Sequence, residues 1–136
     1  MSRLAKWLKS IIRQQSGQSL AELAISLPIL LLLVSVLFDG GRATQGYIAI
    51  MNASREGAIA GATTQLADAE ITAVVRAELT RSGLDGGLAV VTVTYAGSSP
   101  SQTINVEVNY DMPVFTALSP VATIPLSTDA EILVFR

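Results

Sequence analysis

Residues 23–38 read LAISLPILLLLVSVLF, a run without one charged side chain. Counted from Leu20, the apolar stretch is 19 residues long, interrupted by Glu22 alone. A helix of that length rises about 28 Å, close to the hydrocarbon thickness of a bilayer. A helix buried in a water-soluble core keeps a polar face that returns every 3.6 residues, whereas this segment is apolar all round. It is therefore expected to span a membrane over residues 18–38. Pro28 lies early in the span; it removes one backbone hydrogen bond and is expected to kink or loosen the helix there.

Charge is segregated around this run. Arg3, Lys6, Lys9 and Arg13 are the only charges in residues 1–17, leaving five basic residues against eleven acidic ones in the rest, a balance of −6. Cations on one side of a span mark the cytoplasmic side. The chain thus reads as a basic leader in the cytoplasm, a single span, and an acidic domain outside. A cleaved secretory signal would have a shorter apolar region followed by a small-x-small site, but Asp39-Gly40-Gly41-Arg42 follows instead. A basic patch with interleaved aromatics, the footprint of nucleic-acid binding, is absent outside the leader. The chain contains neither Cys nor His. That excludes thiol nucleophiles, disulfides, thiolate or imidazole metal ligands and His general bases. No cofactor and no metal site is expected.

Beyond the span, residues 39–64 are expected to form a membrane-proximal helix. Ala49, Ala53, Gly57 and Gly61 recur every fourth position, a narrow stripe of small side chains that lets another backbone approach closely. Such a stripe serves either a neighbouring subunit or the protein's own sheet. Gly40, Gly41 and Gly46 each lower helix propensity by about 1 kcal/mol relative to Ala, so a weak point is expected across Gly40–Gly46. Residues 65–136 read as a small α+β domain. Within Gln65–Ser82, Ile71, Val74, Val75 and Leu79 have helical spacing, acids sit early and Arg81 late, and Gly83 is placed to stop the helix. The period then becomes two. Val91, Val93 and Tyr95 alternate with threonines, and after Gly97–Ser101 the sequence Ile104, Val106, Val108, Tyr110 alternates with Asn105, Glu107 and Asn109. This is an antiparallel hairpin with one buried face. Asp111–Pro125, with Pro113, Pro120 and Pro125, is expected to be a loop, and Ala130–Phe135 a third strand. A sheet of about three strands needs the helices as its cover.

The most informative window is Gly17-Gln18-Ser19-Leu20-Ala21-Glu22, with a carboxylate at the lip of the span. A charge costs about 2.5–3.5 kcal/mol at the bilayer centre and less near its surface, so Glu22 by itself needs no role. In context it acquires one. A short basic leader, Gly17, a Glu five residues on and then an apolar helix resembles the processing site of type IV prepilins. The longer run Gly17, Glu22, Ala24, Leu27-Pro28, the leucines, Phe38-Asp39-Gly40-Gly41-Arg42 and Ala53-Ser54-Arg55-Glu56-Gly57-Ala58 is similar to TadE-like proteins, the pseudopilins of Tad (tight adherence) pilus systems. Leu23 stands where many members carry an aromatic residue.

The resemblance implies a pilin-like α+β fold whose long N-terminal helix continues outside the membrane. It implies cleavage between Gly17 and Gln18 by a prepilin peptidase on the cytoplasmic side, and Glu22 as the assembly carboxylate. The implied partners are that peptidase, other pilins or pseudopilins, the inner-membrane assembly platform and the lipid bilayer, with the cytoplasmic membrane as location. A minor pseudopilin fits the length better than the very short major pilins. The competing readings are a large pilin that builds the filament, and an uncleaved signal-anchored envelope protein that binds a partner. A membrane-anchored enzyme has no residue-level support.

Other local signals are weak. Asn52-Ala53-Ser54 is a glycosylation sequon inside an expected helix. Arg55-Glu56 and Asp39…Arg42 are expected to be solvated charges, since exposed pairs contribute only about 0–1 kcal/mol. Asp85-Gly86 is read as a turn.

Overall fold

A computed structural model describes residues 2–98, 101–115 and 123–134, with side chains from residue 17 onward. The side chains of Arg3, Lys6, Lys9 and Arg13, the turn residues Ser99 and Pro100, Pro120 of the expected loop and Phe135 of the expected third strand lie outside the described residues. The chain divides into two compact units, Met1–Phe38 and Asp39–Arg136.

The first unit consists of helix, the leading part of α1 (Ser2–Thr64), with Pro28 inside it. From Leu20 to Phe38 thirteen large apolar side chains are between 43 and 69 % exposed. Each such side chain is worth about 1.5–3 kcal/mol when fully removed from water, so together they cannot be left wet. The most apolar 18-residue window has a mean hydropathy of 2.5 and nothing in it is buried. Among the described residues this is the one helix long and apolar enough to cross a membrane, and it fits a single-pass membrane protein.

The second unit starts with the rest of α1. Helical structure runs through Gly40, Gly41 and Gly46, so the expected weak point does not break the helix. At Gly46 the reason is packing. A Cβ there would stand 3.0 Å from Leu126 Cδ1 and 3.1 Å from Met112 Sδ, so the glycine is the width the sheet allows. The helix ends at Gln65, whose φ of 53° is left-handed. A second helix, α2 (Asp68–Arg81), follows; the Glu70 carboxylate accepts the Ala67 N–H at 3.0 Å and ties its first turn. It closes as the glycine signal predicts. Gly83 takes φ +85°, its N–H donates to Thr80 O at 3.1 Å and that of Leu84 to Leu79 O at 3.0 Å, the paired bonds of a Schellman motif.

A 3₁₀ turn, Gly86–Leu88, is capped by Asp85, whose Oδ1 accepts the Gly87 N–H at 2.9 Å. It leads into a three-stranded antiparallel meander, β1 (Val90–Ala96), β2 (Gln102–Pro113) and β3 (Thr123–Val134), with β2 in the centre. Both outer strands pair with β2 in a register that stacks one face. Val93 lies opposite Val106, which lies opposite Ala130; Tyr95, Ile104 and Ile132 form the next row. On β2 every second residue from Ile104 to Met112 is buried, as the alternation requires. Helix α1 contributes Ile50, Ala53 and Ala58 to this core, and α2 contributes Ile71, Val75 and Leu79.

The second and third strands are longer than expected. Asp111–Pro113 and Thr123–Pro125 are not loop but ladder, with Asp111 opposite Pro125 and Pro113 opposite Thr123. Pro is tolerated because each can face its donor-less nitrogen to an open side. The third strand is an edge, and β1 ends its pairing at Asn109, four residues before Pro113. Inward alternation also extends further back, through Ile124, Leu126 and Thr128, than the expected start at Ala130.

The seam between α1 and its cover is tight. A Cβ at Gly57 would lie 2.5 Å from Val75 Cγ2, and one at Gly61 2.4 Å from Ile104 Cδ1. Replacing Gly57 by Leu is therefore expected to destabilise this unit by about 1–3 kcal/mol through overpacking. Gly41→Ala, where an added Cβ meets nothing within 4 Å, is expected to gain up to about 1 kcal/mol. Urea unfolding in micelles, followed by the near-ultraviolet circular dichroism of the tyrosines, measures both.

Candidate processing and assembly site

Gly17 lies within α1, is exposed, and an added Cβ would touch nothing within 4 Å. Nothing in the fold therefore demands a glycine at this position. A mid-helix glycine without a packing role makes the helix locally weaker by about 0.5–1 kcal/mol relative to Ala. Gln18 and Glu22 are one turn apart on the same helix face, with Gln18 Nε2 donating to Glu22 Oε1 at 3.5 Å, the outer limit of a hydrogen bond. Both are exposed, and Glu22 is followed directly by the unburied apolar run. The carboxylate thus stands where helix surface changes from polar to wholly apolar.

At the other end of that run, Asp39 and Arg42 differ from expectation. They are not solvated charges. The Asp39 side chain is only 8 % exposed and lies 3.7 Å from Arg42 Nη1. Its Oδ1 accepts the backbone N–H of Phe115 at 3.1 Å. Arg42 Nη1 donates to Pro113 O at 3.2 Å, and the guanidinium stacks over the Phe115 ring, 4.7 Å from its centroid. Two charges one helical turn apart therefore clasp the chain just as it leaves β2. No local signal reveals this, because the partners are more than seventy residues away in sequence. The one hint was an acid and a base placed i, i+3 immediately after an uncharged run.

All four stripe residues, Ala49, Ala53, Gly57 and Gly61, are buried within the second unit. The close approach that Gly57 and Gly61 permit is taken up by Val75, Ile71, Val106 and Ile104 of the same chain. Arg55 and Glu56 are exposed on α1 and line an open groove with Asn52, Glu78 and Arg81, the last two paired with each other. In the sequon, Ser54 is fully buried and its hydroxyl donates to Met51 O, so the hydroxyl faces the protein rather than solvent. Among the described residues no group of three or more acidic side chains is arranged to hold a metal ion.

Compared with known families, residues 17–58 match the model of the TadE-like proteins. That segment is similar to the TadE-like proteins of Tad pilus systems, and the match begins four residues after Arg13, the last of the N-terminal cations. The TadE-like segment covers the apolar run, the Asp39–Arg42 clasp and the first part of the seam, whereas residues 59–136 lie outside the match. No curated protein and no solved structure matches the chain.

The clasp sets a clear expectation. Asp39→Ala leaves the Phe115 N–H without its acceptor and the Arg42 guanidinium without its ion-pair partner, and a hydrogen bond to a charged group is worth about 1.5–3 kcal/mol. The variant is expected to lose stability of that order. Hydrogen exchange should accelerate at the Phe115 amide before it does in the centre of β2.

Proposed function

We propose that this chain is a minor pseudopilin: a membrane-held structural subunit, cut by a prepilin peptidase between Gly17 and Gln18, that takes part in assembling a Tad-type adhesive pilus or related secretion machine. One observation carries this reading: the TadE-like match begins at Gly17 and runs through a helix whose apolar surface is left exposed by the described residues. In this reading residues 1–17 are the leader, 18–38 the span, 39–64 the membrane-proximal helix and 65–136 the extracytoplasmic domain. The N-terminus stays in the cytoplasm, on the side of the four leader cations.

The chemistry of assembly follows from where charge is made. Cutting after Gly17 creates an amine on Gln18 at the edge of the bilayer. An unpaired charge taken into a bundle of apolar helices is costly, while a matched pair costs far less. Four residues of helix rise about 6 Å. A neighbouring subunit displaced by about one turn along the axis therefore brings its new amine opposite the Glu22 carboxylate. Register between subunits is read by that pairing, and the surrounding Leu side chains supply contact without direction. Other pilins or pseudopilins and the inner-membrane assembly platform are the partners this implies.

In cells with an active prepilin peptidase, intact mass of the membrane-bound protein is expected to lack residues 1–17. Gly17→Val should retain them. Glu22→Ala should be processed like the parent but reduce piliation. A full-length mass in the presence of the peptidase would instead identify a signal-anchored envelope protein, and unchanged piliation with Glu22→Ala would remove the carboxylate from the assembly role.

A further inference from the structure

Phe115 is the most exposed large apolar side chain among the described residues, 75 % exposed, although Tyr110 and Met112 just before it on β2 are buried. Its position is not left to chance. The backbone is bonded to Asp39, the carbonyl of Pro113 is bonded to Arg42, and the Arg42 guanidinium covers one face of the ring. Asp39 is the residue that follows Phe38, the last of the apolar run. A span that starts at Leu20 and fills about 28 Å of hydrocarbon ends at Phe38, so Asp39 lies where lipid tails give way to headgroups. Whatever is hydrogen-bonded to Asp39 lies at that level too.

We infer that Phe115, fixed by Asp39 and backed by Arg42, is a second membrane contact that places its ring in the headgroup boundary on the extracytoplasmic side. The occupant of this surface is lipid. An aromatic ring beside an Arg, at the end of a span, is the pairing interfaces favour: the ring sits among the upper acyl carbons and the cation stays level with the phosphates. The guanidinium is still 26 % exposed after making its contacts, which leaves it able to reach a headgroup. The contact holds the start of the outer domain to the bilayer through β2 as well as through α1. The inference rests on the spanning role of residues 18–38 proposed above.

The test uses the full-length chain with Trp7→Phe, which removes the single native tryptophan, reconstituted in phosphatidylcholine/phosphatidylglycerol vesicles. Three reporters are compared, Phe115→Trp, Leu31→Trp and Leu133→Trp. Leu133 pairs with Thr103, ten residues along β2 from Pro113 and hence about 33 Å from the clasp. Leu31→Trp is expected to lose emission to lipids brominated near the chain ends, and Leu133→Trp to aqueous iodide alone. Phe115→Trp is expected to lose emission to lipids brominated near the carbonyls, to shift to the blue and to resist iodide.

If Phe115→Trp behaves like Leu133→Trp while Leu31→Trp is quenched deep in the bilayer, the second contact is overturned and the span stands. If Phe115→Trp resists iodide and brominated lipid alike, the ring is covered by protein and the lipid contact is again overturned. If Leu31→Trp is itself open to iodide, the span fails and takes this inference with it.

Discussion

Between Leu20 and Phe38 the chain presents apolar side chains on every side of a helix, and no part of the described structure packs against them. Burial of this much apolar surface is worth tens of kcal/mol by area, several times the net stability of a small domain. A bilayer provides that burial without any partner protein, and a helix is the only open segment that can accept it, since it satisfies its own backbone. The remaining features are arranged around this constraint. Cations lie before the run, Glu22 lies at its entrance, and the first acid–base pair after it, Asp39 and Arg42, comes as soon as the run ends.

The same helix is built by two different rules along its length. Through the span it carries large side chains and needs no specific neighbour. From Gly46 to Gly61 it carries Gly46, Gly57 and Gly61 where Val75, Ile104, Leu126 and Met112 approach its backbone closely. Small residues exchange side-chain contact for backbone proximity, and α1 and α2 together supply the core on the sheet's inner face. The stripe is thus used up inside the fold, its close approaches taken by Val75, Ile71, Val106 and Ile104 of the same chain.

Much of this was written locally in the chain. Period-two alternation from Ile104 to Tyr110, helical spacing in Ile71, Val75 and Leu79, and Gly83 at a left-handed position each follow from one residue's immediate neighbours, and each is found in place. What sequence reading missed was decided by neighbours in space. Pro113 and Pro125 looked like loop residues because proline lacks a donor, yet a strand at the edge, or extending past its partner, does not need one there. Gly40, Gly41 and Gly46 looked like a break, but helix propensity is a weak prior and Gly46 is held by packing on Met112 and Leu126. In the candidate site, Gly17 and Glu22 were legible as a motif, whereas the burial of Asp39 depended on Phe115, 76 positions away.

Asp39 also shows how a charge that follows an apolar run can be drawn into a fold. A carboxylate one residue past the last apolar side chain would ordinarily remain in water, where exposed pairs contribute little. Here it gives up most of its water for an arginine one turn along and for a backbone N–H at the end of a strand. Those bonds fasten the far end of the sheet's central strand to the first turn of the outer helix, while the glycine seam fastens its middle. Two attachments well separated along one strand restrict rotation as well as separation. A sheet joined in this way to residues 39–64 of α1 moves with that part of the helix as one piece.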